Sequence, residues 1–274
     1  KWSIRANLVT CYLLLKSFKE LLFGDAGKKK KFSDFLKRYI TIGQTRYLTN
    51  RQLVSDPPIA DVFICGSDQI WNPSDQHGVD PSYFLNFAGP DSRRISYAAS
   101  FGKSYVDEKF ASRISQLISS LDSVSVREFS GLKIVRELSG RIAAWVPDPT
   151  LLTEDDYPDA LVPSMGKPYM FSYSLRGGRL VATVEQIVAG ITGHQIINEK
   201  TILKENKLAL SPLEWVGHFK GAEFVVTNSY HGTLFSIIFN KPFLFVELSG
   251  AKAGFNERSH SLLQGLDLED RIVN

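Results

Sequence analysis

The 274-residue sequence has few cysteines, no long uninterrupted apolar run and little surplus charge. Its two cysteines, Cys11 and Cys65, provide neither a disulfide framework nor a thiolate metal site, and they fit a reducing, cytoplasmic setting. Residues 8–23 form the most apolar early segment, but charged residues interrupt it, so it lacks the roughly 18 apolar residues of a membrane span. We expect an amphipathic helix there instead.

The charge pattern excludes other classes of protein. The formal net charge is only +3, and part of it comes from the run Lys28–Lys31, which is typical of a solvated loop rather than a nucleic-acid site. With 43% hydrophobic and 22% charged residues, the composition argues against a disordered or membrane-embedded chain. We therefore expect a globular protein without a nucleic-acid partner.

Motifs for metals and nucleotides are also missing. The five histidines are scattered, with no H-x-x-x-H spacing and no paired cysteines. Neither a G-x-x-x-x-G-K-[ST] loop nor a G-x-G-x-x-G fingerprint occurs. The sequence thus predicts no metal site.

The pattern along the chain predicts an α/β fold in two domains. Helical spacing dominates residues 2–23 and 31–40, after which short β-rich runs alternate with helices, as in a parallel sheet. Residues 146–168 are rich in proline and acid, which is typical of an interdomain connector. Because the length also favours two domains with a cleft between them, we place the domains at residues 1–156 and 157–274.

Several boundaries in the second domain have clear local signals. A helix over residues 179–193 is predicted to end at Gly193. Ser211 and Glu214 form an S-x-x-E capping box with Pro212 at the first helical position. A strand at residues 223–228 is followed by a helix predicted to open at Gly232.

In an open parallel sheet, ligands bind beyond the carboxyl ends of the strands, so polar residues after apolar runs are candidate site residues. Five such corners follow predicted strands, at residues 66–73, 100–102, 127–131, 176–178 and 228–233.

The corner at residues 228–233 is the most informative. Gly232 and Thr233 would open a helix whose free N–H groups attract an anion, with His231 beside it to pair with the charge and transfer a proton. The alternative is a histidine that caps the helix and bonds to backbone groups. Ser229 has a weaker claim to ligand binding, because serine before a helix is commonly a cap.

Two other corners offer ligand contacts. Arg176 precedes two glycines and could grip a carboxylate or phosphate, although a surface arginine is equally consistent. Ser67, Asp68 and Gln69 suit sugar hydroxyls, with Trp71 as a stacking face, unless turn chemistry alone explains them. A structural Arg127–Glu128 salt bridge is predicted at the corner that begins at residue 127.

Six blocks that occur in order carry a resemblance to a known family. The chain resembles the polysaccharide pyruvyl transferases, in the branch common in bacterial capsule and exopolysaccharide clusters. The blocks are "DVFICGSDQIWNP", "RRISYAASFG", "SVSVREFSGLKIVREL", "VPDPTLL", "FVVTNSYHGTLFSIIFNKPFLFV" and "NERSHSLLQGLDLEDR".

The resemblance implies a GT-B-like fold, in which two Rossmann-like domains face a cleft, with the acceptor on the N-terminal side and the donor on the C-terminal side. Phosphoenolpyruvate would donate a pyruvyl group to a sugar of a glycan or lipid-linked precursor, forming a cyclic ketal and releasing phosphate. It implies no metal and no organic cofactor. It also implies a cytoplasmic enzyme, with peripheral association at the inner face of the membrane left open.

The resemblance also assigns residue roles. His231 matches the motif histidine at the donor, where Ser229, Gly232 and Thr233 adjoin it. Better-studied branches carry an arginine at the position of Ser229, so Arg176 and Arg258, the latter in an N-x-R pattern with Asn256, are expected to compensate. Relatives also open with a strand and an "N-Y-G" loop that nothing here matches, so the first strand is expected to be missing.

Two rival functions stay open. A GT-B glycosyltransferase would share the fold and could use His231 to hold the diphosphate of a nucleotide sugar. A non-catalytic glycan-binding subunit is the second rival, because the motif arginine is replaced. Donor identity separates the first rival from a pyruvyl transferase, and retained donor binding argues against the second.

Overall fold

A computed structural model of the protein describes residues 26–274 except residues 75, 154–156, 158, 176 and 207–209. The helix predicted over residues 2–23, together with Cys11, lies outside the described residues, and so does Arg176.

Two helices precede the first strand. Helix α1 spans Ala26–Tyr39 and confirms the second predicted helix, although it begins earlier than predicted. The lysine run therefore lies in a helix, and its prediction as a loop was wrong. Helix α2 spans Asn50–Ser55 and begins with a capping box between Thr49 and Gln52.

Four parallel strands and two helices form the first α/β layer. Strand β1 pairs with β2, strand β3 pairs with β4, and single bridges at Ile95–Ser123 and Ala99–Val126 join the two pairs. The strands are β1 (Val62–Cys65), β2 (Arg93–Ser96), β3 (Ser125–Val126) and β4 (Ala144–Trp145), and the helices are α3 (Glu108–Ser119) and α4 (Phe129–Ser139).

The second layer contains a five-stranded parallel sheet in the order β6, β5, β7, β8, β9. Its strands are β5 (Tyr169–Tyr173), β6 (Gln195–Asn198), β7 (Phe224–Thr227), β8 (Phe243–Val246) and β9 (Ile272–Val273). Its helices are α5 (Arg179–Thr192), α6 (Glu199–Asn206), α7 (Pro212–Gly221), α8 (Tyr230–Ile238) and α9 (Glu257–Gln264).

Local signals correctly predicted some of the helix ends in this layer. Gly193 ends α5 in a left-handed conformation, with φ 69°, as the sequence predicted. The capping box between Ser211 and Glu214 is present at the start of α7, with Pro212 in the first turn. The predicted start of α8 at Gly232 was wrong, because Ser229 caps a helix that begins at Tyr230.

Each layer has its own hydrophobic core. Residues such as Trp71, Phe101 and Val126 belong to the core of the first layer, whereas Phe171, Phe219 and Phe245 belong to that of the second. The predicted α/β class with a parallel sheet is confirmed. The GT-B-like arrangement and the domain boundary near Tyr157 stay predictions.

Strand order in the second sheet identifies where a ligand would bind. The chain leaves β5 toward β6 on one side and later returns to β7 on the other side of β5. Such a reversal opens a crevice at the carboxyl ends of the two central strands. Residues after β5 and β7 therefore border the expected binding region, and His231 is among them.

Candidate functional site

The polar residues that follow several strands meet where the two layers touch. Contacts across this contact zone include a hydrogen bond from the Phe129 amide, which begins α4, to the Ser261 hydroxyl on α9. We call the charged group there the junction cluster, which consists of Asp68, Arg127, Asp148, Tyr230, His231 and Arg258.

Arg127 is the centre of the junction cluster. Its side chain is fully buried, with Nη1 2.6 Å from Asp148 Oδ2 and Nη2 3.1 Å from Asp68 Oδ1. Its guanidinium also lies 4.5 Å from the centre of the Tyr230 ring. The predicted Arg127–Glu128 salt bridge is therefore wrong, since Arg127 forms its ion pairs with the two aspartates.

Glu128 has a different structural task. Its buried Oε1 accepts hydrogen bonds from the Ser100 hydroxyl and from the amides of Phe101 and Gly102. Burial raises the pKa of Glu128, against the opposing effects of Arg127 and these hydrogen bonds. Glu128 thus fixes the corner after β2, and Arg127, its neighbour in the chain, extends toward the aspartates.

His231 lies in the first turn of α8 at the edge of the junction cluster. Its side chain is 39% exposed and its Nε2 is 4.0 Å from Asp148 Oδ2. Burial lowers the pKa of His231, and the charges of Arg127 and Arg258 act in the same direction, together outweighing Asp148 and Asp68. The imidazole is therefore largely neutral near pH 7 and can accept a proton.

The three small residues around His231 hold the turn. The Ser229 hydroxyl accepts a hydrogen bond from the Gly232 amide, and the Ser229 carbonyl accepts one from the Thr233 amide at 2.9 Å. A β-carbon at Gly232 would collide with the Thr227 hydroxyl. The N–H groups of Gly232 and Thr233 therefore already have partners at the helix start. Donor contacts from Ser229, Gly232 and Thr233 stay predictions.

Arg258 supplies the second buried cation. Its Nη1 is 3.6 Å from Asp68 Oδ1, and its guanidinium lies 5.6 Å from the Tyr230 ring centre. Burial and the charge of Arg127 lower the pKa of Arg258, which is the effect of two like charges held close together. Asn256 positions this helix start, since its side-chain amide bonds both the N–H and the carbonyl of Leu248.

The corner after β1 contributes Ser67 and Asp68. Gly66 leaves the strand with φ 134°, and a β-carbon there would collide with the Tyr97 carbonyl oxygen. The Ser67 hydroxyl donates to Asp148 Oδ2 at 2.7 Å. Desolvation raises the pKa of Asp68, but the charge of Arg127 and hydrogen bonds outweigh it, so the pKa is lowered and the carboxylate stays ionised at neutral pH.

Trp71 corrects one predicted contact. Its side chain is 1% exposed, stacks on Phe84 with the ring centres 5.0 Å apart, and donates from Nε1 to the Tyr83 carbonyl. The predicted stacking face for a sugar is thus wrong, because Trp71 is part of the core. Gln69 accepts a hydrogen bond from Asn72, and its contact with an acceptor stays a prediction.

His231 also lines a cavity of about 390 Å³. This cavity, which we call the aromatic pocket, lies between α1, α7 and the carboxyl ends of β5 and β7. Its lining includes Phe32, Tyr173, Glu199, Trp215, His231 and Phe235.

Sequence reasoning did not assign Asp148 or Tyr230 to the site. Asp148 lies just after β4, so the rule that selected the other corners could have selected it, but its proline-rich setting indicated a connector. Tyr230 lies inside the motif, but nothing in the sequence showed that its ring would contact two arginines.

Among the residues that the structure describes, no group of three histidine, cysteine or acidic side chains is placed to hold a metal ion. No helix within the same ranges has both the length and the apolar character that crossing a bilayer requires.

The family model described as polysaccharide pyruvyl transferase matches residues 5–250, which include the β1 corner, Arg127, Asp148 and the His231 motif. A search of curated proteins finds no significant match. The match spans most of the chain, and the family name implies a polysaccharide acceptor. The chain belongs to the polysaccharide pyruvyl transferase family and is a transferase.

Proposed function

We propose that the protein transfers a pyruvyl group from phosphoenolpyruvate to two hydroxyls of one sugar in a cell-surface glycan or its lipid-linked precursor. The products are a cyclic ketal and inorganic phosphate. The observation that carries this proposal is His231, a titratable group in the first turn of α8, beside the buried cations Arg127 and Arg258.

The charges of the junction cluster support binding of an anionic donor. Arg127, Arg258, Asp68 and Asp148 together carry no net formal charge. Asp68 is the most exposed of them, with a side chain that is 67% accessible, and its carboxylate lies between the two guanidinium groups. We propose that a carboxylate or phosphate of the donor displaces Asp68 from this position, which would leave the two cations to the ligand.

The proton chemistry follows from the position of His231. A bound donor with several negative charges raises the pKa of the imidazole and so favours its protonated form. His231 then gives that proton to the methylene carbon of phosphoenolpyruvate, leaving an oxocarbenium-like centre at the adjacent carbon.

The remaining steps form the ketal. One sugar hydroxyl attacks the cationic carbon and gives its proton to the neutral His231. Phosphate then leaves with the electrons of its C–O bond, and the second hydroxyl attacks and closes the ring. That hydroxyl's proton leaves with the phosphate. These steps require an acid–base group and cationic contacts, so we propose no organic cofactor and no metal.

Two parts of the proposal come from the family resemblance. Arg176 is proposed to contact the donor, in place of the arginine that Ser229 replaces. We propose that the enzyme is cytoplasmic and that a lipid-linked acceptor brings it to the inner face of the membrane, where exposed lysines of α1 such as Lys29 and Lys30 suit anionic lipid.

The test is to incubate the purified protein with phosphoenolpyruvate and a panel of nitrophenyl and lipid-linked sugars, and to measure phosphate release. We expect release that depends on acceptor, together with a product heavier by one pyruvyl ketal. Phosphoenolpyruvate should also raise the melting temperature, because a ligand that binds the native state stabilises it. Stabilisation by a nucleotide sugar alone would favour a glycosyltransferase and overturn the proposal.

A further inference from the structure

The aromatic pocket differs chemically from the junction cluster, although both include His231. Tyr173 and Trp215 pack edge to face with ring centres 5.0 Å apart, and Trp215 and Phe235 do so at 5.2 Å. Phe32 from α1 also lines the pocket, and Glu199 from α6 adds a carboxylate. A mostly apolar lining with a few polar groups is characteristic of small-molecule sites of about 300–1,000 Å³.

The charge of the aromatic pocket argues against the donor. Phosphoenolpyruvate carries several negative charges, whereas the pocket presents Glu199 and aromatic rings, with His231 as its one titratable base among the described lining residues. Placing an anion beside a carboxylate in a partly apolar site is unfavourable. A neutral ring with hydroxyl groups fits better, because its C–H faces pack on aromatic rings while its hydroxyls donate to the carboxylate.

We propose that the aromatic pocket binds the acceptor sugar, as a neutral pyranose ring held between aromatic side chains, with Tyr173 and Glu199 bonding hydroxyls remote from the reaction. This inference rests on the proposed function. It moves the acceptor from the predicted corner at Ser67, Asp68 and Gln69 to the second layer of the molecule.

The position of His231 connects the two sites. Its imidazole lines the aromatic pocket and is also 4.0 Å from Asp148 in the junction cluster. A sugar in the pocket would direct its reacting hydroxyl pair toward His231. The proposed donor would lie beside the same residue, at the cations of the junction cluster. The pocket is also at the β5–β7 crevice, where ligands bind in sheets of this type.

The pocket has a wall that the sequence did not reveal. Lys31 on α1 donates to Glu214 on α7 at 2.8 Å, and the same carboxylate oxygen accepts from the Ser211 amide. This contact fastens α1 beside the pocket and brings Phe32 into its lining.

Tyr173 and Glu199 both line the aromatic pocket, so one ligand in the pocket can contact both side chains. Burial raises the pKa of Tyr173, and the negative charge of Glu199 raises it further. A sugar hydroxyl placed between them could accept from the phenol and donate to the carboxylate, which is the pattern that distinguishes a polyol from an apolar ligand.

The test uses two conservative variants of the full-length chain. Tyr173→Phe removes one hydroxyl while keeping the ring, and Glu199→Gln removes one exposed charge. The control is Glu137→Gln, the same change at an exposed acid on α4, and Gln69→Ala probes the predicted corner. Binding of methyl galactoside, glucoside, mannoside and N-acetylglucosaminide is measured by calorimetry without donor, and the acceptor KM is measured at saturating phosphoenolpyruvate.

We expect at least one glycoside to bind the wild-type protein, and Tyr173→Phe and Glu199→Gln to weaken it about tenfold each. Acceptor KM should rise by a similar factor, with donor KM unchanged, and Glu137→Gln should match wild type. Loss of binding in Gln69→Ala, unchanged binding in both pocket variants, or no saturable binding to any glycoside would overturn the pocket assignment. Failure of the transfer reaction with pocket-dependent sugar binding retained would instead contradict the proposed function.

Discussion

The junction cluster and the aromatic pocket share His231 and are stabilised by different forces. In the junction cluster, buried charges of both signs neutralise one another, and each group depends on its partners. In the aromatic pocket, rings pack on rings, and the ion pair at the edge is partly exposed. Removing a charged side chain should therefore lower the free energy of unfolding strongly in the junction cluster and only slightly at the edge of the aromatic pocket.

The largest expected effect is on catalysis at the residue that both regions share. His231→Gln should lower turnover about 10²–10⁴-fold, the usual contribution of general acid–base catalysis. The melting temperature should change little, because α8 is held by buried residues such as Leu234 and Phe235. Steady-state kinetics and thermal unfolding measure both quantities.

The control for this variant is His194→Gln. His194 directly precedes the edge strand β6, whereas His231 follows the carboxyl end of the central strand β7, so the control should keep full activity. A His231→Gln protein that is unstable but active once folded would show that the histidine is a helix cap and not an acid–base group.

The next effect is on folding stability in the junction cluster. Arg127→Met should lower the free energy of unfolding by about 3–5 kcal/mol, because it leaves the buried Asp148 without its cation. Urea unfolding at pH 7 measures the change. Arg136→Met, at an exposed arginine on α4, is the matched control and should stay within about 0.5 kcal/mol of wild type. Equal losses of unfolding free energy in the two variants would show that Arg127 contributes no more to stability than an exposed arginine does.

A smaller effect is the pH dependence of donor binding. In the free protein the pKa of His231 is lowered, whereas a bound anion raises it, so binding takes up a proton between the two pKa values. Affinity for phosphoenolpyruvate should therefore fall as pH rises through the higher pKa, at most about tenfold per pH unit in that window. Calorimetry in buffers with different ionisation enthalpies counts the protons.

His231→Gln is the reference for this measurement, because the donor's own ionisation is the same for both proteins. Equal proton uptake by the variant and by wild type would show that His231 does not titrate with donor binding.

The smallest effect is expected at the edge of the aromatic pocket. Lys31→Met should change the free energy of unfolding by about 1 kcal/mol or less, because Lys31 and Glu214 are 29% and 33% exposed and solvent screens the pair. Lys29→Met is the control within the same lysine run. A loss as large as that of Arg127→Met would erase the contrast between the two regions.

Much of the fold could be predicted because its signals are local. The capping box at Ser211 and Glu214 and the stop at Gly193 depend on residues within one helical turn. The predicted start of α8 was wrong by two residues. The prediction placed the start at Gly232, whereas Ser229 caps a helix that begins at Tyr230.

The candidate site could be predicted less completely. The strand-end rule selected His231, Ser67 and Asp68, which the structure brings into one neighbourhood through Asp148 and Arg127. It also selected Trp71 as a sugar contact, but burial decides whether an aromatic ring meets a ligand, and burial depends on neighbours such as Phe84 that the spacing does not identify.

The sequence by itself determined the alternation of strands and helices and the corner that holds His231, because backbone preferences and helix caps act between residues close in the chain. Only the tertiary structure decided that Arg127 pairs with Asp68, 59 residues away, and that the Phe129 amide meets Ser261, 132 residues away. Which charges share a desolvated space depends on how distant segments pack, and that packing made His231 a member of both the junction cluster and the lining of the aromatic pocket.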